Sequence, residues 1–367
     1  MIKEDKPNNI LLLTNTIDDC PSGGREMLCK LNHDILIDIY NDNCTVFELP
    51  KNPINRLKGI FQSFGGYING LNAESIKNVI QIIHDNKVDK IFVDGSNFGG
   101  FVKIVKKQIP DIKIITFFHN VESRFFLGSL KHVKTPRALA VFLVNYLAER
   151  KSVRYSDKIV CINKRDSQLL KKIYGRSATD LYAMSLEDKL SKNYSSFSTK
   201  VKEKFALFVG GAFYANRVGI FWFVEHVAPH INIKTYIVGR GFEKYRDELE
   251  INKNVVVVGE VESLAQWYHG AYFVIAPIFD GSGMKTKVAE ALMYGKNIIG
   301  TPEAFTGYEE VIKQAGRVCN TAEDFISAIE SSDEMVNSLF DNELRNIYKE
   351  NYSFEAAKSR LEDIMAD

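Results

Sequence analysis

Residues Pro277–Thr301, PIFDGSGMKTKVAEALMYGKNIIGT, join a strand end, a glycine turn, a helix and a returning strand in 25 residues. Val274–Pro277 closes an apolar run, Gly281 and Gly283 flank Ser282 in a turn, and Met284–Tyr294 has apolar residues at helical spacing. A strand that feeds a helix through glycines leaves backbone N–H groups without intrahelical partners. Those amides and the positive end of the helix dipole favour an anion. Lys285 and Lys287 add charge there, and Glu290, one turn beyond Lys287, can accept hydrogen bonds from sugar hydroxyls. The stretch reads as a site for a phosphate-bearing sugar ligand. Its spacing also fits a solvated helix face on which Lys287 and Glu290 form an i,i+3 ion pair.

Outward from this stretch, strands alternate with helices. Short β-rich runs fall at Ile10–Thr14, Thr45–Leu49, Lys90–Val93, Lys113–Phe117 and Lys158–Ile162, separated by helical patterns at Ala73–Asn86, Phe98–Gln108 and Arg137–Tyr155. A second series has strands at Phe205–Val209, Lys234–Val238, Asn254–Val258, Ala271–Ala276 and Asn297–Gly300, with helices near Val218–Val227, Phe242–Ile251, Glu262–His269 and Met284–Tyr294. This alternation predicts an α/β chain with two doubly wound parallel sheets, each covered on both faces. The polar, serine- and lysine-rich stretch Leu186–Lys204 interrupts it. We therefore expect a first domain over 1–190, a linker over 191–204, a second domain over 205–350 and a final helical segment over 351–367, with Ser353 as its N-cap.

Composition is that of a globular chain: 45% hydrophobic and 25% charged over 367 residues, with a net charge of +1 that argues against a general nucleic-acid binder. Five scattered cysteines without a C-x-x-C pair indicate neither a disulfide framework nor a zinc site, and read as reduced, mostly buried thiols. The longest nearly apolar run, Ala138–Ala148, is too short to span a bilayer, and the N-terminus lacks a signal-peptide pattern, so we expect a cytoplasmic chain.

The stretch Pro277–Thr301 resembles the donor-binding signature of retaining glycosyltransferases of the family 4 type (glycosyl transferases group 1): Gly281, Gly283, Lys287, Glu290-Ala291, then Gly295-Lys296 and Thr301. Further landmarks occur in the same order. PSGGREM (Pro21–Met27) brings Gly23 and Gly24 to a helix start; FFHNVES (Phe117–Ser123) brings His119 and Glu122 to a strand end; Phe205–Pro229 opens with Gly210, Gly211, Asn216 and Arg217; and VGRGF (Val238–Phe242) and VVGEVESL (Val257–Leu264) bring Gly239, Arg240 and Val261. The resemblance implies a GT-B fold, two Rossmann-like domains facing a cleft, with the last helix crossing back to the N-terminal domain. It implies transfer of a sugar from a nucleotide diphosphate-sugar to an acceptor hydroxyl. His119, Lys287 and Glu290 would be catalytic, and Gly23, Gly24, Gly210, Gly211, Arg217, Gly239, Arg240, Val261, Gly281, Ser282, Gly283, Met284, Lys285 and Thr286 would bind the donor.

Two departures from the family pattern stand out. The opening glycine is not followed by both an arginine and a lysine, so Lys287, with Lys285, would carry most of the phosphate load. Ser282 stands where many relatives have the first glutamate of an E-x7-E pair. No D-x-D element follows a strand to hold a divalent ion, and no close pair of catalytic carboxylates suggests a glycosidase; no metal and no cofactor beyond the donor substrate are expected. The family suggests exopolysaccharide or surface-glycan synthesis.

Between Val121 and Arg176, thirteen Lys or Arg outnumber four Asp or Glu, interleaved with Phe125, Phe126, Leu127, Phe142 and Tyr146. Such a patch could dock on an anionic membrane at its inner face and collect a lipid-linked glycan acceptor; a solvated face over a core helix gives the same pattern. A catalytically silent GT-B-like subunit that binds a partner transferase is the main alternative. A sugar-nucleotide epimerase would bring several catalytic acids that are not assignable here, and a dehydrogenase would need G-x-G-x-x-G after the first strand.

Overall fold

Runs of β-branched and aromatic residues build two parallel sheets of six strands each. The computed structural model describes residues 9–19, 21, 23–50, 62–68, 70–132, 134–190 and 203–366. The first sheet has strands β1 (Ile10–Asn15), β2 (Cys44–Leu49), β3 (Lys90–Asp94), β4 (Lys113–Phe118), β5 (Lys158–Cys161) and β6 (Asp180–Leu181), in the order β2-β1-β3-β4-β5-β6. The second has β7 (Phe205–Val209), β8 (Lys234–Val238), β9 (Val255–Gly259), β10 (Phe273–Ala276), β11 (Ile298–Gly300) and β12 (Gly316–Val318), in the order β12-β11-β10-β7-β8-β9. β3, β7 and β10 are buried along their whole length, as expected of strands covered on both faces. In each sheet the strand order reverses once, between β1 and β3 and between β7 and β10. Ligands bind at the carboxyl ends of strands at such a reversal.

The chain divides into two compact units, one ending at Ala183 and including the residues from Ala357 onward, the other Met184–Ala356. The expected linker 191–204 lies almost wholly outside the described residues. Residues 184–190, read from the sequence as part of the first domain, group with the second. Leu186 N–H donates to the Tyr352 carbonyl, Tyr348 Oη donates to the Leu186 carbonyl, and Arg345 pairs with Asp188. The terminal helix Phe354–Ala366 is capped by Ser353, whose Oγ accepts from Ala356 N–H at 3.2 Å. At its other end Lys90 and Lys158 of the first sheet donate to the carbonyls of Met365 and Ile364, partners for groups that a helix C-terminus leaves unsatisfied.

The short edge strands β6 and β12 were not read from the sequence, and the helix expected at Phe242–Ile251 divides into a 3-10 turn, Phe242–Tyr245, and one α turn, Arg246–Leu249. Tyr245 between them has φ −114° and ψ 14°, which breaks the α ladder. Of the cysteines, Cys161 and Cys319 are buried and Cys29 and Cys44 partly so, all as free thiols; Cys20 lies outside the described residues.

Candidate functional site

In the second unit, the reversal between β7 and β10 gathers most of the signature. After β7 the chain turns through Gly210, at φ +153°, and passes so close to the loop after β8 that a Cβ on Gly239 would lie 2.0 Å from the Gly210 carbonyl oxygen. Only glycine fits that approach. Asn216, buried in the helix Tyr214–His226, donates from Nδ2 to the Gly211 carbonyl at 2.7 Å and accepts from Lys287 Nζ at its Oδ1 at 2.9 Å. Lys287 sits in the first turn of the helix Thr286–Met293, is only 6% exposed, and lies 4.1 Å from the centre of the Phe208 ring. Burial lowers its pKa to about 7, against the attraction of Glu290.

A solvated helix face with a Lys287–Glu290 ion pair is therefore not what forms. Lys287 turns inward to Asn216, and Glu290 accepts from Tyr268 Oη at 2.9 Å. Tyr268 is fully buried and stacks on Tyr294 with centroids 4.7 Å apart, so the Glu290 carboxylate is held from below by a rigid phenol. Burial raises the Glu290 pKa, opposed by that hydrogen bond and by Lys189 and Lys287.

The other residues expected at the donor are distributed as follows. Gly281 and Gly283 form the anticipated turn, with φ of +147° and +67°. Lys285 is engaged within the protein, donating to the Gly283 carbonyl and pairing with Glu303 at 3.0 Å, so its charge braces the glycine turn. Arg217 donates to Tyr245 Oη and lies over that ring. Met284 is buried, its sulfur accepting from Met184 N–H; Ser282, Thr286 and Val261 are partly exposed; Gly211 and Arg240 are exposed. Lys296 has a structural explanation: its Nζ donates to the carbonyls of His269, Ala271 and Leu339, with a pKa lowered by burial to about 7.

In the first unit, β1, β3 and β4 lie side by side, and their carboxyl ends carry Thr14, Asp94 and His119. Gly23 caps the helix Gly24–Tyr40, and Arg25 in its first turn pairs with Glu122 at 2.8 Å, which joins the PSGGREM and FFHNVES motifs. Glu149 of the helix Pro136–Tyr155 is fully buried. Its carboxylate accepts from Glu122 N–H at 2.8 Å, Ser123 N–H at 3.0 Å, Ser96 Oγ at 3.0 Å and Tyr174 Oη at 2.8 Å. It thereby caps the helix Glu122–His132 from outside. Burial raises its pKa even so.

His119 is buried, with Nε2 2.9 Å from Asp94 Oδ1 and 3.5 Å from Cys29 Sγ. Potential ligand atoms of Cys29, Asp94 and His119 lie within 4.8 Å of one another, a donor set of the type that can hold zinc. Asp94 accepts besides from Thr14 Oγ1 and Asn32 Nδ2, both at 3.1 Å. Burial alone would raise the Asp94 pKa, but His119, with Cys29 and Asn32, holds it below the usual value; burial and Asp94 push the Cys29 thiol well up.

Two six-stranded parallel sheets of this form define the GT-B glycosyltransferase fold. Residues 203–332 match the family model described as Glycosyl transferases group 1. No curated protein matches the sequence. Among solved structures, sucrose-phosphate synthase from Thermosynechococcus elongatus is similar with a TM-score of 0.73 and 14% identity, over 98% of each chain. Anabaena Alr3699/HepE in complex with UDP has a TM-score of 0.69 and 14% identity, covering 98% of this chain and 99% of that one. WaaG, a glycosyltransferase involved in lipopolysaccharide biosynthesis, has 0.65 and 14%, covering 98% and 100%.

Proposed function

We propose that the chain is a glycosyltransferase that moves a sugar from a nucleotide diphosphate-sugar to an acceptor hydroxyl with retention at the anomeric carbon, in exopolysaccharide or surface-glycan synthesis. One observation carries this: a buried lysine, Lys287, stands beside the Gly210–Gly211 turn at a strand-order reversal, within the segment matched by the glycosyltransferase model. A buried ammonium beside a glycine turn suits a diphosphate. As the glycosidic bond breaks, charge gathers on the leaving diphosphate, and Lys287 with nearby amides stabilises it more in the transition state than in the ground state. The leaving phosphate takes the acceptor proton, so the transfer needs neither a carboxylate pair nor a metal. Glu290, braced by Tyr268, binds sugar hydroxyls of the donor.

The test is a panel of UDP-, GDP-, ADP- and dTDP-sugars, followed by calorimetry and nucleotide release. We expect selective binding of one donor, weakened about ten- to a hundredfold by Glu290→Ala, the scale of losing hydrogen bonds to a charged group. The engagement of Lys285 by Glu303 and of Arg217 by Tyr245 favours one other reading, a catalytically silent subunit that binds a partner transferase. Failure of the wild type to bind any donor would support that reading instead.

We further propose that the first unit docks on the inner face of an anionic membrane, where a lipid-linked glycan acceptor would lie. Phe125, Leu127, Leu139, Val141 and Leu143 are exposed on the helices Glu122–His132 and Pro136–Tyr155. Part of the local positive charge is used internally, since Arg176 donates to the carbonyls of Val153, Ser156 and Asp157 and Lys158 caps the terminal helix. No helix among the described residues is long and apolar enough to cross a membrane. Anionic vesicles should retain the protein at low salt and release it as salt rises. Equal retention on neutral vesicles, or none on anionic ones, would rule the proposal out.

A further inference from the structure

Among the described residues, the buried cluster around Asp94 contains two polar atoms without a hydrogen-bond partner, Asn32 Oδ1 and His119 Nδ1. Asp94 is fully enclosed at the end of β3, where its two oxygens accept from Thr14, Asn32 and His119. The Cys29 sulfur lies close by, 3.5 Å from His119 Nε2. A carboxylate surrounded by donors on this scale is ionised and fixed in orientation. It dictates the protonation of His119: a lone pair on Nε2 facing Asp94 Oδ1 at 2.9 Å would be repelled, so Nε2 carries the hydrogen. The ring is also held edge-on to Phe117, with centroids 4.7 Å apart. In the neutral ring Nδ1 is then the acceptor, and among the described residues it is buried with no hydrogen-bond partner. A buried acceptor left this way calls for a donor from outside the chain. Zinc fits the cluster less well. A ligating histidine almost always donates its other ring N–H to a carboxylate, carbonyl or water, and among the described residues Nδ1 has no such partner.

We propose that Asp94 is a positioning residue, which locks His119 as the Nε2–H tautomer so that Nδ1 accepts a hydrogen bond from a sugar hydroxyl. This rests on the glycosyltransferase reading for the identity of the ligand, while the tautomer is a property of the chain alone. Asp94→Asn preserves shape and removes the charge that fixes the ring.

Two measurements on the full chain test it. In 15N-histidine NMR of the wild type, His119 should show a protonated Nε2 and a pyridine-like Nδ1; an Nδ1–H tautomer would overturn the proposal. With the donor selected by the panel, Asp94→Asn should lower kcat/KM about ten- to a hundredfold while leaving the affinity for the bare nucleoside diphosphate unchanged. Unchanged turnover, or a parallel loss of nucleoside diphosphate affinity that marks general damage to the fold, would overturn it. If the wild type binds no nucleotide, the glycosyltransferase reading fails and the NMR result alone decides the Asp94–His119 pair.

Discussion

Lys287→Met should lower kcat/KM with the chosen donor by about a hundred- to a thousandfold without lowering the melting temperature. The activity loss follows from removing the buried cation beside the Gly210–Gly211 turn, on the scale seen when a charge-stabilising donor is deleted from an active site. The stability follows from the cost of enclosing an ammonium. Lys287 has a pKa of about 7 in the folded chain and about 10.4 unfolded, so between these values the unfolded state binds more protons. Wild-type stability therefore rises with pH across that window, a slope that Lys287→Met should reduce. Removing the amine relieves its desolvation and leaves Asn216 Oδ1 unpaired, at a cost of about 1–3 kcal/mol, so the two effects offset. A diphosphate favours the charged lysine, and donor affinity should fall as pH rises above 7. Calorimetry across pH 6–9 (about the range in which the amine titrates) checks this. A pH-independent affinity, or a variant that loses activity only because it unfolds, would show that Lys287 is structural.

The second large effect is expected at Glu149. Glu149→Ala should destabilise the first unit by about 3–5 kcal/mol, because four buried donors lose their acceptor at about 1–3 kcal/mol each, partly offset by the relief of burying a carboxylate. It leaves two backbone amides at the start of the helix Glu122–His132 and two hydroxyls, Ser96 and Tyr174, without their acceptor. For a unit of this size that corresponds to a fall in Tm of roughly 10 °C. Glu149→Gln keeps one side-chain oxygen as an acceptor and should lose less than half as much. Urea unfolding of both variants provides the measurement; a loss under about 1 kcal/mol for Glu149→Ala would mean that the helix start is satisfied in some other way.

The central parts of this architecture were legible because they are local. Apolar runs such as Lys90–Asp94 and Phe205–Val209 became central strands, and the helical period after Gly283 placed Lys287 and Glu290 correctly on one short helix. The partners were not legible, because they come from distant segments. Asp94 reads as the polar end of a strand until β1, β3 and β4 bring Thr14 and His119 beside it. Glu149 lies in a stretch of ordinary helix charges, and its only sequence signal is that it shares the inward face with Ala148 and Ser152. Lys285 looked as suitable for phosphate as Lys287; Glu303, eighteen residues on, is what engages it. Short edge strands such as β12, three residues long, carry too little pattern to stand out from a loop.

The most direct measurement is a crystal structure of the chain soaked with each of the four nucleoside diphosphates of the panel. A diphosphate within hydrogen-bond distance of Lys287 Nζ and of the Gly211 amide is the expected result, since the Gly210 N–H already donates to the Val238 carbonyl. A diphosphate bound elsewhere, with Lys287 still held by Asn216, would contradict a donor site in the second unit.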